Sequence, residues 1–143
     1  MNESIPEIEK NIIEEFALFD DWMSKYEYII ELGKNLPLID PKYKTEDYRV
    51  KGCQSNVWLN AELKDGKLIY KADSDAVITK GLIALLIRVL SNQNPEDITN
   101  AKLDFIEKIG MKEHLSPNRS NGLMSMLKYM KNYATTYSKE NAN

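Results

Sequence analysis

The residue best suited to chemistry in this chain is Cys53, its only cysteine, set in the run Lys51-Gly52-Cys53-Gln54-Ser55-Asn56-Val57-Trp58. A thiolate attacks sulfur and carbonyl centres and binds soft metals. One cysteine cannot close an internal disulfide, and it falls short of the ligand set of a structural zinc or iron-sulfur site. Its chemistry is therefore solitary or shared with a partner's sulfur. A free cysteine is also a good small hydrophobe, so an inert core thiol is the competing reading. The neighbours argue against it: Gly52 permits a positive φ, and Gln54, Ser55 and Asn56 offer donors and acceptors that a core cysteine would not need. Around this thiol, Arg49 and Lys51 supply positive charge, unless they are solvated surface groups. Arg119, two residues into a capped helix start at Ser116-Pro117, is a further cation, with an ion pair and a functional role both open. Asp73 and Asp75 flank Ser74 where a helix begins, and carboxylates suit the positive end of its dipole. His114 is the only histidine and invites a Cys53–His114 thiol enzyme, but no oxyanion hole or orienting residue accompanies the pair. No glycine-rich phosphate loop, metal-ligand pair or triad spacing appears elsewhere.

The elements that must position Cys53 follow from periodicity. Ser4 and Glu7 form a capping box ahead of Ile5, Ile8, Ile12, Phe16 and Phe19, which predicts a helix to about Phe19. Asp20 or Asp21 caps a second helix carrying Trp22, Tyr26, Ile29, Gly33 and Leu36, which Pro37 ends. Trp22, Tyr26 and Tyr28 read as packing aromatics. Residues 38–49 are polar and aperiodic, and 48–51 are expected to pair as a short strand. From Val57 the period becomes two, and Asp65-Gly66 marks a type I′ hairpin in which Leu63 meets Leu68, Ala61 meets Tyr70 and Leu59 meets Ala72. Asp73 or Ser74 is expected to cap a buried helix from Asp75 to about Leu90, interrupted by Lys80 and Arg88. Short turns follow at Pro95 and over 103–109. A last helix, capped by Ser116 with Pro117 in its first turn, carries Leu123, Leu127, Met130, Ala134 and Tyr137. Residues 138–143 are polar and expected to fray. The fold class is α+β, a three-stranded antiparallel sheet packed against helices.

At 143 residues, 43% hydrophobic and 29% charged, the chain suits a single domain, 1–143, able to bury its own core. A net charge of -3 lacks the basic face that nucleic acid requires. The first residues have no signal-peptide pattern, and no apolar run is long enough to cross a bilayer. Together with one unpaired thiol, these features predict a cytoplasmic protein. No metal and no cofactor of its own is expected.

Gly52-Cys53-Gln54-Ser55-Asn56-Val57-Trp58 resembles the G-C-Q-S-x-V-W signature of the SufE family, sulfur-acceptor partners of the cysteine desulfurase SufS. Four further stretches resemble the family in the same order: Trp22 to Gly33, Asp73-Ser74-Asp75-Ala76, Lys80-Gly81-Leu82, and Leu115 to Leu123. The resemblance implies a SufE/IscU-like fold and persulfide carriage on Cys53 for iron-sulfur cluster assembly. It also implies supporting or partner-binding roles for Gly52, Gln54, Ser55, Asp75 and Arg119, with the S-P-x-R segment beside the cysteine loop. The implied partners are a SufS-like desulfurase, carrying its own pyridoxal phosphate, and a downstream iron-sulfur scaffold. The protein would be a co-substrate and activator and not itself an enzyme. An IscU-like scaffold would hold a cluster on several cysteines, and this chain has one. Two readings from other classes stand beside it: the Cys53–His114 thiol enzyme, and an interaction domain with an inert cysteine.

Overall fold

The caps read from sequence start the first two helices. Ser4 Oγ accepts the Glu7 N–H at 3.3 Å, opening α1 (Ile5–Phe16), which closes three residues before the expected Phe19. Asp21 accepts the Ser24 N–H at 2.7 Å, opening α2 (Trp22–Lys34). In the computed structural model, which describes residues 3–141, two 3-10 turns (Pro41–Tyr43 and Glu46–Tyr48) lead to β1 (Val57–Lys64) and β2 (Lys67–Ser74). Then come α3 (Val77–Leu90), α4 (Pro95–Asn100), α5 (Phe105–Lys108), α6 (Met111–His114) and α7 (Pro117–Asn141). Residues 1–2 and 142–143 lie outside the described residues. The tail expected to fray is helical over 138–141.

The hairpin has the expected register, with Leu63 opposite Leu68, Ala61 opposite Tyr70 and Leu59 opposite Ala72. Asp65 (φ 52°) and Gly66 (φ 80°) both take left-handed backbone, as a type I′ turn demands. Val57, Leu59, Ala61, Leu68, Tyr70 and Ala72 are buried against the helices.

The sheet has two strands, where three were expected. The segment 48–51 contributes one bridge, Arg49 opposite Trp58, and one bond, Val50 N–H to Val57 O at 2.7 Å. Helix α7 stands where a longer strand would pair. The next carbonyls on that edge, Leu59 O and Ala61 O, accept the hydroxyls of Tyr133 and Tyr137 at 3.3 and 3.1 Å. On the opposite edge, Leu68 exchanges bonds with Asn92 and Gln93, and the Tyr70 N–H reaches Ser91 Oγ at 2.9 Å. Both edges of a two-stranded ribbon are thus satisfied by irregular backbone and side-chain hydroxyls, which also denies them to other chains.

A second correction concerns α3. It begins at Val77 with Ala76 at the cap position, two residues later than expected, and no side chain caps it. Ser74 ends β2 and its Oγ accepts the Ala76 N–H at 3.2 Å, while Asp73 binds Lys44 at 2.9 Å and Lys80 at 3.3 Å. Arg88, the other interruption, forms a fork with Glu15 on α1, and Tyr28 of α2 joins the same carboxylate. The Arg88 hydrogen bonds hold the Glu15 carboxyl below its usual range against the upward push of burial.

Helix α3 can lie in the core because α2 crosses it at backbone contact. A Cβ on Gly81 would stand 2.2 Å from Ile29 O, and one on Gly33 would stand 2.8 Å from Gly81 N. Two backbones cannot both yield to a methyl group. Gly81→Ala should therefore lose about 1–3 kcal/mol from overpacking, more than the roughly 1 kcal/mol of helix propensity it gains. Urea denaturation checks this, and unchanged or raised stability would contradict the crossing.

Candidate functional site

Cys53 lies in the loop between the single bridge at Arg49 and the start of β1, and α7 holds that loop from one side. The Cys53 Sγ–H donates to Gly122 O at 3.6 Å, and a Cβ on Gly122 would stand 3.4 Å from Sγ. Gly52 takes φ +97° and packs so closely that its Cβ would meet Ser125 Oγ at 2.4 Å. The Lys51 N–H donates to Tyr129 Oη at 3.2 Å. Positions 122, 125 and 129 share one helical face, so that face meets residues 53, 52 and 51 in turn, antiparallel to the loop. Gly52 is required twice over, by its φ and by its closeness to Ser125.

The loop's far end is clamped by Asp75. Its carboxylate accepts the Asn56 backbone N–H at 3.1 Å and the Asn56 side-chain amide at 2.8 Å, and its own N–H reaches Asn56 O at 3.2 Å. Asp75 thus acts on the cysteine loop, where a role at the helix dipole was expected. Between the two anchors, Cys53 is half-buried on the wall of a cleft of about 580 Å³. The floor is apolar, with Ile30, Ile78 and Met126, and Val77 stands 62% exposed at the rim. Arg119 is the single charged residue of the lining, and it forms no ion pair among the described residues. Burial pushes the Cys53 thiol up, and the positive charge of Arg49 pulls part of that back.

Of the residues picked out from sequence, Cys53, Gln54, Ser55 and Arg119 come together in the cleft, while Gly52 and Asp75 shape and hold the loop. Lys51 is exposed, and Arg49 pairs with Glu46 at 3.5 Å. His114 is elsewhere: its ring stacks on Trp22 at 4.1 Å, its carbonyl accepts the Tyr26 hydroxyl, and it is not among the residues lining the cleft. No group of three or more metal-ligating side chains occurs among the described residues. Sequence reasoning missed Ser125 and Tyr129, whose only signal was their spacing with Gly122, and it missed Thr79, which lines the cleft from the first turn of α3. It also took Asn56 for a generic loop polar group. Among the described residues, no helix is long and apolar enough to cross a membrane.

A family model of SufE, described as an Fe-S metabolism associated domain, matches residues 10–134. An uncharacterized SufE-like protein of Rhizobium meliloti is 41% identical over 128 residues, covering 86% of this chain and 91% of that one. An uncharacterized SufE-like protein of Synechocystis is 37% identical, covering 95% and 86%. The SufE-like protein 1, chloroplastic/mitochondrial, of Arabidopsis thaliana is 39% identical over 92% of this chain, which spans 36% of that protein's length. The solution structure of a hypothetical protein from Thermus thermophilus shares the fold, with a TM-score of 0.75 at 22% identity over 90% of this chain and 94% of that one. With one thiol held in a cleft by its GCQS loop and the family model covering most of its length, the chain belongs to the SufE family of Fe-S metabolism associated domains.

Proposed function

We propose that Cys53 accepts sulfur from a cysteine desulfurase and carries it as a persulfide toward an iron-sulfur scaffold. The observation that carries this reading is a single nucleophile in a cleft too large for its own side chain, with a cation beside it and no general base. Such a site can hold a transferred atom and lacks the parts to hydrolyse a substrate. In the transfer, the Cys53 thiolate attacks the terminal sulfur of the desulfurase persulfide. A new S–S bond forms on Cys53, the old one breaks, and the partner's thiolate leaves with the electron pair, so no net oxidation occurs. Pyridoxal phosphate belongs to the partner in this scheme, and the protein acts as co-substrate and activator. A reducing compartment such as the cytoplasm keeps the thiol available. The Cys53–His114 enzyme is disfavoured by the stacking of His114 on Trp22. An inert core cysteine is disfavoured by the exposure of Cys53 to the cleft.

The upward-shifted thiol means that the resting protein holds Cys53 mostly neutral, since a raised pKa lowers the thiolate fraction at any pH below it. Alkylation by iodoacetamide should therefore show a midpoint above that of an ordinary cysteine, and unfolding in urea should speed the reaction at pH 7. A midpoint below the ordinary value would remove the sheltered-thiol description. Incubation with a desulfurase and free cysteine should add whole sulfur atoms to the intact mass, located at residue 53 and removed by reductant; sulfur located elsewhere would defeat the relay. Replacing Cys53 with Ser keeps the size and removes the nucleophile. The Cys53→Ser protein should still bind the desulfurase, because binding rests on an extended surface, while its stimulation of alanine production should disappear. Undiminished stimulation would instead make the protein an allosteric activator.

A further inference from the structure

Helix α3 is 14 residues long and reaches the cleft with its amino end open. The cap position holds Ala76, which has no acceptor to offer, and Ser74 Oγ is already occupied by the Ala76 N–H. The Lys80 N–H is the first to bond back, to Ala76 O at 2.8 Å. The N–H groups of Val77, Ile78 and Thr79 therefore have no acceptor among the described residues, and these three residues line the cleft that holds Cys53.

Thr79 supplies a second and independent sign of a ligand. It is only 8% exposed, it lines the same cleft, and its hydroxyl has no hydrogen bond among the described residues. Other helical threonines of this chain bond back one turn: Thr99 to Pro95 O at 3.0 Å, Thr135 to Lys131 O at 3.0 Å and Thr136 to Asn132 O at 3.1 Å. Thr79 makes no such bond to Asp75, one turn before it and outside the helix. The Thr79 oxygen is not among the buried polar atoms left without a partner, so its hydroxyl is open to solvent and free to donate to an acceptor placed in the cleft.

We propose that the open amino end of α3 and the Thr79 hydroxyl form the seat of the terminal sulfur of the Cys53 persulfide, with Thr79 donating to that sulfur in its anionic form. This inference rests on the sulfur-acceptor reading and names the group that holds the cargo. The S–H of a persulfide is a stronger acid than its parent thiol, so after transfer the terminal atom gives its proton to solvent and carries a negative charge. That charge meets two unsatisfied donor sets in a lining without a carboxylate, where Arg119 is the sole ion. Arg49 adds positive charge from the strand side, and Asp75 is occupied by Asn56. The apolar floor of Ile30, Ile78 and Met126 suits a polarisable sulfur better than a strongly hydrated oxyanion. Once loaded, Sγ has no proton left to donate to Gly122 O, and the added sulfur extends into the cleft that Cys53 lines.

The test needs no desulfurase. Cys53 is loaded with inorganic polysulfide, excess reagent is removed, and the persulfide is alkylated with iodoacetamide across a pH series, the product being read by intact mass. In Thr79→Val the midpoint should rise by roughly half a unit to one unit, since a donor to the anion is lost, and Thr79→Ser should restore it. Should the valine variant fail to fold, Thr79→Ala makes the same comparison. Equal midpoints in parent and variant, a shift that Thr79→Ser leaves in place, or an equal shift in the unloaded thiol would each overturn the proposal. Polysulfide that loads the denatured chain but not the native one would overturn it too, because the seat would then admit no sulfur. A desulfurase that fails to load Cys53 would defeat the sulfur-acceptor reading and leave this titration unaffected, so the two failures are distinguishable.

Discussion

The outer edge of β1 is the constraint on which the site depends. A two-stranded ribbon has two unpaired edges, and buried carbonyls left open there cost about as much as lost hydrogen bonds. Tyr133 and Tyr137 close Leu59 O and Ala61 O, and Tyr70 of β2 donates its own buried hydroxyl to Met130 O at 2.6 Å. These bonds fix both the distance of α7 from the hairpin and its axial position. A slide of one helical turn would break all three. Because α7 is continuous, the same bonds set Gly122, Ser125 and Tyr129 against the cysteine loop.

The loop is consequently held by backbone geometry more than by side-chain packing. Gly52 lets the loop and α7 approach until Sγ rests on the Gly122 carbonyl, and the Asp75 clamp on Asn56 closes the other end. A thiol in that position is shielded and mostly neutral, which fits the proposed sulfur carriage, since a carrier must not react with every electrophile it meets. The cleft beside it has the opposite character, with open helix N–H groups and one arginine favouring an anion. The resting thiol and the cleft beside it therefore have different electrostatic surroundings.

Much of the local structure was legible in the chain itself. Ser4, Asp21 and Ser116 mark helix starts because a hydroxyl or carboxylate can reach a free N–H three residues on, which is a short-range property. Asp65-Gly66 sets the hairpin and its register because few other pairs tolerate two left-handed residues. The same locality failed at α3, where Ser74 or Asp73 promised a cap and Asp75 a place at the helix dipole. Asp73 was drawn to Lys44 and Lys80, and Asp75 to Asn56, partners far off in sequence.

Residue type and order determined that one thiol would stand alone in a polar loop beside an apolar strand, and that no internal disulfide or multi-cysteine cluster could form around it. They also set the periodicities that make the chain α+β, because capping, turn chemistry and amphipathic spacing act within a few residues. Tertiary structure alone decided that the third strand would stop at Arg49, since α7 and its tyrosines compete for the same edge carbonyls. It alone decided that Gly122 would take the thiol, that His114 would stack on Trp22 away from it, and that Thr79 would face the cleft unpartnered. Those outcomes depend on which distant segments meet, and a single sequence carries no direct signal of such meetings.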